Sequence, residues 1–172
     1  MPSGANAIAT LGELLSQQCA THPDRPAVIF GERQTSFVQL ESRSNKVANA
    51  LLSEKLAPQS RVCLLDHNSD SFFEILFGAS KARMVLVTIN FRLAPPEVQY
   101  IIDDAEAAVL LVGTDCLPLL EGLDLSGLKK VIIVDDAAEG KFVCWRDEHA
   151  ASPPTSPPTP SDIAVQMYTS GT

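Results

Sequence analysis

Residues 61–89 read RVCLLDHNSD SFFEILFGAS KARMVLVTI, and this stretch decides the fold. Arg61-Val62-Cys63-Leu64-Leu65 is a compact apolar run suited to a buried parallel strand. Ser71-Phe72-Phe73-Glu74 has capping-box spacing, in which a hydroxyl and a carboxylate satisfy backbone donors at a helix start, so a helix is expected from there to about Ala82. Met84-Val85-Leu86-Val87-Thr88-Ile89 is then a second buried strand. Strand, helix and strand in succession make one crossover unit of a parallel sheet.

Working outward, the same alternation continues downstream. Residues 95–105 form a helix with proline in its first turn, where the missing N–H costs little. A third strand follows at 108–112, a short helix is expected at 117–123, and a fourth strand at 131–134. Residues 142–149 around Trp145 make a short element of undefined type. Upstream, residues 8–20 carry apolar side chains at helical intervals and stop at His22-Pro23-Asp24-Arg25-Pro26. Residues 27–30 and 34–37 flank a turn at Gly31-Glu32-Arg33 and read as a β-hairpin, and residues 38–55 have the one-sided apolar pattern of a helix that Pro58 ends. The class is α/β, a mostly parallel sheet flanked by helices.

Composition narrows the function. With 172 residues, 45% hydrophobic and 20% charged, the chain is globular and large enough for one real core. A formal net charge of -8 opposes the counterion release on which nucleic-acid binding depends, so nucleic acid and anionic membranes are not expected partners. An acidic chain can still hold a nucleotide, because a loop of oriented N–H groups acts locally. Cys19, Cys63, Cys116 and Cys144 are scattered, with no Cys-x-x-Cys pair and no His set at metal-ligand spacing, and are expected to be free thiols. With no secretory leader and no apolar run of about 18 residues, no transmembrane segment and a cytoplasmic setting are expected.

Residues 152–161, with five prolines, read as a semi-rigid extended connector. The expected organisation is an α/β subdomain over 1–151 with its leading helix and hairpin, the connector at 152–161, and at 162–172 a strand running into Tyr168-Thr169-Ser170-Gly171-Thr172. Glycine among hydroxyl side chains after a strand lets N–H groups and hydroxyls converge on an anion. By itself the tetrapeptide Thr169-Ser170-Gly171-Thr172 reads more readily as an ordinary polar turn than as a phosphate loop.

In order and spacing, these landmarks resemble the N-terminal part of the adenylate-forming enzymes, the superfamily of acyl-CoA synthetases, luciferases and nonribosomal peptide adenylation domains. The resemblance rests on His22-Pro23-Asp24-Arg25-Pro26-Ala27-Val28, residues 35–40, Asn68-Ser69 leading into residues 72–81, Ile89-Asn90-Phe91-Arg92-Leu93, residues 97–102, Ser161-Asp162-Ile163-Ala164 and residues 168–172. It implies the large N-terminal domain of the acyl-CoA synthetase and luciferase-like fold, and it makes Thr169, Ser170, Gly171 and Thr172 the opening of an ATP-phosphate loop. Residues 90–93 and the spacing to Glu97 look most like bacterial fatty-acid or aryl-acid CoA ligases. The implied substrates are a fatty or aryl carboxylate, ATP with magnesium, and CoA. A homodimer is allowed for, no catalytic residue and no metal ligand is assigned, and the chain is expected to be a truncated portion, inactive by itself, of an active ligase. A stand-alone flavodoxin-like binding module, an amino-acid adenylation domain and a luciferase-like enzyme are the competing expectations.

Three departures from the family pattern stand out. Gln59-Ser60 replaces a usual Gly-Asp, Arg83 stands where glycine is usual, and Thr88 where proline is common. The first two bear on turns, because a residue other than glycine is strained at positive φ. Other candidates have plainer expectations. Asp66-His67 reads as a solvated turn whose side chains point apart, Phe72, Phe73, Leu76 and Phe77 as a core-packing face, Trp145 as an anchor, and Glu97 as a partner of the helix dipole. Asp103-Asp104 and Asp135-Asp136 are left unassigned.

Overall fold

The computed structural model describes residues 9–135 and 140–169. The first helix, α1 (Leu11–Thr21), is capped by Thr10 and Glu13, whose side chains each accept an N–H bond from the other end of the first turn. Strands β1 (Pro26–Phe30) and β2 (Arg33–Ser36) form an antiparallel hairpin turning at Gly31, where φ is +59°. Ser36 then caps α2 (Phe37–Ser53) in a box with Gln39, so the hairpin feeds directly into the helix.

From there strands and helices alternate: β3 (Arg61–Leu65), α3 (Ser71–Lys81), β4 (Val85–Ile89), α4 (Pro95–Asp104), β5 (Ala107–Gly113) and β6 (Lys130–Val134). After them come α5 (Lys141–Asp147) and β7 (Val165–Met167). Five strands form one parallel sheet in the order β6-β5-β3-β4-β7. The α/β class and the parallel sheet flanked by helices therefore hold.

Strand alternation splits the core in two. Val62 and Leu64 of β3 face one layer with Val47, Leu51, Ile75 and Phe142, while Cys63 and Leu65 face the other with Val98, Ile101 and Ile102. Burial on both faces explains why β3 reads as a continuous apolar run. On the first face α2 and α3 pack closely because Gly78 lies against Val47, with no room for a Cβ.

Four expectations change. The box expected at Ser71 and Glu74 is absent, and Asp70 stands at the N-cap without a side-chain bond. Glu74 is instead buried, pairing with Arg146 at 2.6 Å and Arg43 at 3.0 Å, and these ion pairs outcompete a cap. The helix expected at 117–123 is a 3-10 helix at Thr114–Leu120, with Pro118 inside it and unable to donate an α-helical bond. The element around Trp145 is the α-helix α5, with Trp145 packed on the core and its ring 6.1 Å from that of Phe142. The last strand covers three residues only, because Asp162 is turned aside to bind Arg83 and the Thr159 N–H.

Candidate nucleotide-edge site at the strand carboxyl ends

The chain leaves β3, β4 and β7 at the same end of the sheet, and a cleft of about 960 Å³ opens there. Its walls include Asp66 and His67 after β3, Asn90 and Phe91 after β4, and Tyr168 and Thr169 after β7. This is the end at which open parallel sheets bind ligands, since each strand delivers a loop there. Thr169, the first of the four predicted phosphate-loop residues, lines the cleft, whereas Ser170, Gly171 and Thr172 lie outside the described residues.

Two attachments fix β7. At its carboxyl end, the Tyr168 hydroxyl donates to Asp104 at the end of α4 and accepts from Gln166 Nε2 at 3.0 Å. Burial first, and the Asp104 carboxylate second, push this phenol up to about 12, so it remains a donor. At the amino end, Arg83 Nε and Nη2 grip Asp162 at 2.9 and 3.1 Å. That pairing, aided by the Thr159 N–H, holds the Asp162 carboxyl down at about 2.

Gln59 completes the amino-end attachment. Its Oε1 accepts the Ile163 N–H at 2.8 Å while its Nε2 donates to the Arg83 carbonyl at 3.2 Å. Both Gln59 (φ 68°) and Arg83 (φ 61°) occupy the left-handed region, where glycine would be unstrained. Two of the departures noted in the sequence, Gln59 and Arg83, thus sit at strained turns, and each side chain reaches the segment leading into β7, whereas Thr88 lies within β4. No sequence pattern joins them to Asp162, which is 79 residues from Arg83.

The cleft's electrostatics are one-sided. Asp66 and Glu97 line it, and among its described lining residues there is no Lys or Arg. Glu97 accepts the Ala94 N–H at 2.8 Å, which places it at the start of α4 as expected. Phe72 lines the cleft and also packs on the core, whereas Phe73 turns outward with its ring edge-on to Phe72. Asp104 is engaged by Tyr168 and Asp103 by Gln99. Asp135 accepts the Lys141 N–H, and Asp136 is outside the described residues.

Asp66 and His67 differ from expectation. Their side chains do not simply diverge into solvent: Asp66 Oδ1 accepts the His67 N–H at 2.7 Å, and ligand atoms of both lie with Cys116 Sγ in one group within 4.8 Å. Cys116 is buried, and desolvation, then Asp66 and Asp115, raise its thiol. The sequence interval hides this grouping, which exists because β5 lies beside β3. All four cysteines are free thiols.

A parallel sheet flanked by helices, with a largely apolar cleft at its strand carboxyl ends, defines an α/β protein of the open-sheet kind, which binds its ligands at that end. The AMP-binding enzyme family matches residues 15–172, and the chain belongs to that family. A fatty acid–[acyl-carrier-protein] ligase of Streptomyces coeruleorubidus is 32% identical over 166 residues, covering 96% of this chain and 31% of the relative. A 3-hydroxybenzoate–CoA ligase of Aromatoleum sp. is 29% identical over 168 residues, covering 94% and 31%. Among solved structures, a Mycobacterium tuberculosis fatty acyl CoA synthetase superposes with a TM-score of 0.85 at 26% identity, over 96% of this chain and 34% of that one. An anthranilate CoA ligase in complex with anthranoyl-AMP gives 0.86 at 27% identity, over 94% and 31%. The chain spans about a third of the length of these relatives. The fold is that of the N-terminal domain of adenylate-forming enzymes, and family membership decides against an unrelated flavodoxin-like module.

Proposed function

We propose that this chain is the N-terminal portion of an ATP-dependent carboxylate ligase that makes an acyl adenylate and passes the acyl group to a thiol, with CoA as the acceptor. The observation that carries this is the placement of Thr169 at the cleft mouth, immediately after a β7 anchored at both ends. A carboxylate oxygen of a fatty or aryl acid bonds to the α-phosphorus of ATP as pyrophosphate leaves, and the thiol sulfur then bonds to the acyl carbon as AMP leaves. Such chemistry depends on positioning and charge stabilisation.

Each residue has a role in this scheme. Thr169, Ser170 and Thr172 offer hydroxyls to the β and γ phosphates, and Gly171 lets the backbone come close. Tyr168, Asp104, Arg83, Asp162 and Gln59 position the strand that carries them. Thr169 fits the edge of a nucleotide site, while the carboxylates and absence of Lys or Arg among the cleft's described lining do not fit a whole triphosphate site. Magnesium would screen the phosphates, with the phosphates themselves as its ligands. In this reading the 172 residues alone are inactive, and the cation that balances the phosphates lies outside the cleft's described lining.

The test is pyrophosphate release by the product of the whole reading frame encoding this chain, over a panel of fatty and aryl acids, with CoA, an acyl carrier protein or no acceptor. Acid-dependent release with thioester formation on CoA is expected. Silence with every acid would overturn the proposal. Transfer only to the carrier protein would keep adenylation and replace the acceptor.

A further inference from the structure

We propose that Asp66, His67 and Cys116 form a binding site for a zinc-class divalent cation on the rim of the cleft. One carboxylate oxygen, one imidazole nitrogen and one sulfur lie within 4.8 Å of one another. Tetrahedral zinc, with bonds of about 2.0–2.3 Å, needs its ligand atoms roughly 3.3–3.8 Å apart, so small side-chain rotations close the group around an ion. The donor set selects the metal class: sulfur disfavours magnesium and calcium, whereas mixed N, O and S ligation suits zinc.

The surroundings hold each donor in place. Asp66 follows the last residue of β3, and its carboxylate occupies the space a Cβ on Gly113 would need, at 1.9 Å from Oδ1. Glycine at the end of β5 therefore admits this carboxylate beside the 3-10 helix that carries Cys116. Asp66 accepts the His67 N–H, and the His67 ring rests on Phe91 with centroids 4.0 Å apart. Cys116 is 1% exposed, while Asp66 and His67 line the cleft and give an ion its route in. On binding, the Cys116 proton passes to solvent as the metal–sulfur bond forms. With three protein ligands, a fourth position remains for water. None of the three residues has a role in the adenylation scheme.

Cobalt(II) is the probe, because a thiolate ligand gives it a near-ultraviolet charge-transfer band. Titration of the chain should produce this band, saturating at about one ion per chain and bleaching when zinc is added. Cys116→Ser should abolish the band, and His67→Ala, at an exposed position that leaves the core intact, should weaken cobalt binding by at least about tenfold. Cys19→Ser and Cys144→Ser should retain it. No band in the wild-type chain, or a band undiminished in either Cys116→Ser or His67→Ala, would overturn the site.

Discussion

At the scale of single residues, two side chains show local pattern yielding to distant partners. Gln59 accepts left-handed strain and makes two side-chain bonds, to Ile163 and the Arg83 carbonyl. Gln59→Ala keeps the strain and loses both bonds, so urea unfolding should show a loss of about 1–2 kcal/mol. Gln59→Gly loses the same bonds but relieves the backbone, and should be more stable than Gln59→Ala by about 1 kcal/mol. Equal stabilities would remove strain from the account. Glu74 is a second case: its three-residue spacing from Ser71 suggested a cap, yet its carboxylate lies buried between Arg146 and Arg43. Glu74→Gln strands Arg146 with only Asp147 as counter-charge, and should cost about 3 kcal/mol, at the low end for breaking a buried pair. A thermal melt unchanged from wild type would show that Asp147 suffices.

At the scale of elements, the α2–α3 contact opposes two known effects. Alanine at 78 gains about 1 kcal/mol of helix propensity, but its Cβ would lie 2.5 Å from Val47 Cγ1 and 3.1 Å from the Ser44 carbonyl. Overpacking costs about 1–3 kcal/mol, so Gly78→Ala should destabilise by up to about 2 kcal/mol in urea, and a gain would mean that the helices can part freely. The attachment of β7 adds a pH dependence. Asp162 titrates at about 2 when folded, below the ordinary carboxylate value of about 3.9, so its contribution to stability is present above the latter and is lost as pH falls through the former. Carboxyl NMR should place the Asp162 midpoint near 2 and move it towards the ordinary range in Arg83→Gln; an unmoved midpoint would assign the shift to the Thr159 N–H instead. Elements were legible where one period dominates: β3, β4 and β5 are buried on both faces and read as apolar runs, and α2 reads as a one-sided helix. Legibility failed where a distant partner decides. Nothing near Asp162 announces Arg83, and nothing near His67 announces Cys116, because strand order brings those pairs together.

At the scale of the whole molecule, charge limits what the described cleft can do unaided. The chain carries a formal net charge of -8, and the cleft adds Asp66 and Glu97 where a triphosphate would approach. In the proposed phosphate loop hydroxyls and N–H groups would orient phosphate oxygens, but several negative charges brought together in a partly dry site require a compensating cation. Under the proposed function the sheet serves as a frame that aims the 169–172 segment, and the charge balance on which phosphate affinity depends comes from groups outside the cleft's described lining. Calorimetric titration of the 172-residue chain with ATP and magnesium should show no saturation at concentrations that saturate the product of the whole reading frame. Thr169→Val in that longer protein should then raise the KM for ATP while leaving the melting temperature unchanged, since the residue stands at the cleft mouth outside the described core. Saturable ATP binding by the short chain at equal affinity would contradict this division of labour, and an unchanged KM in Thr169→Val would remove Thr169 from the phosphate site.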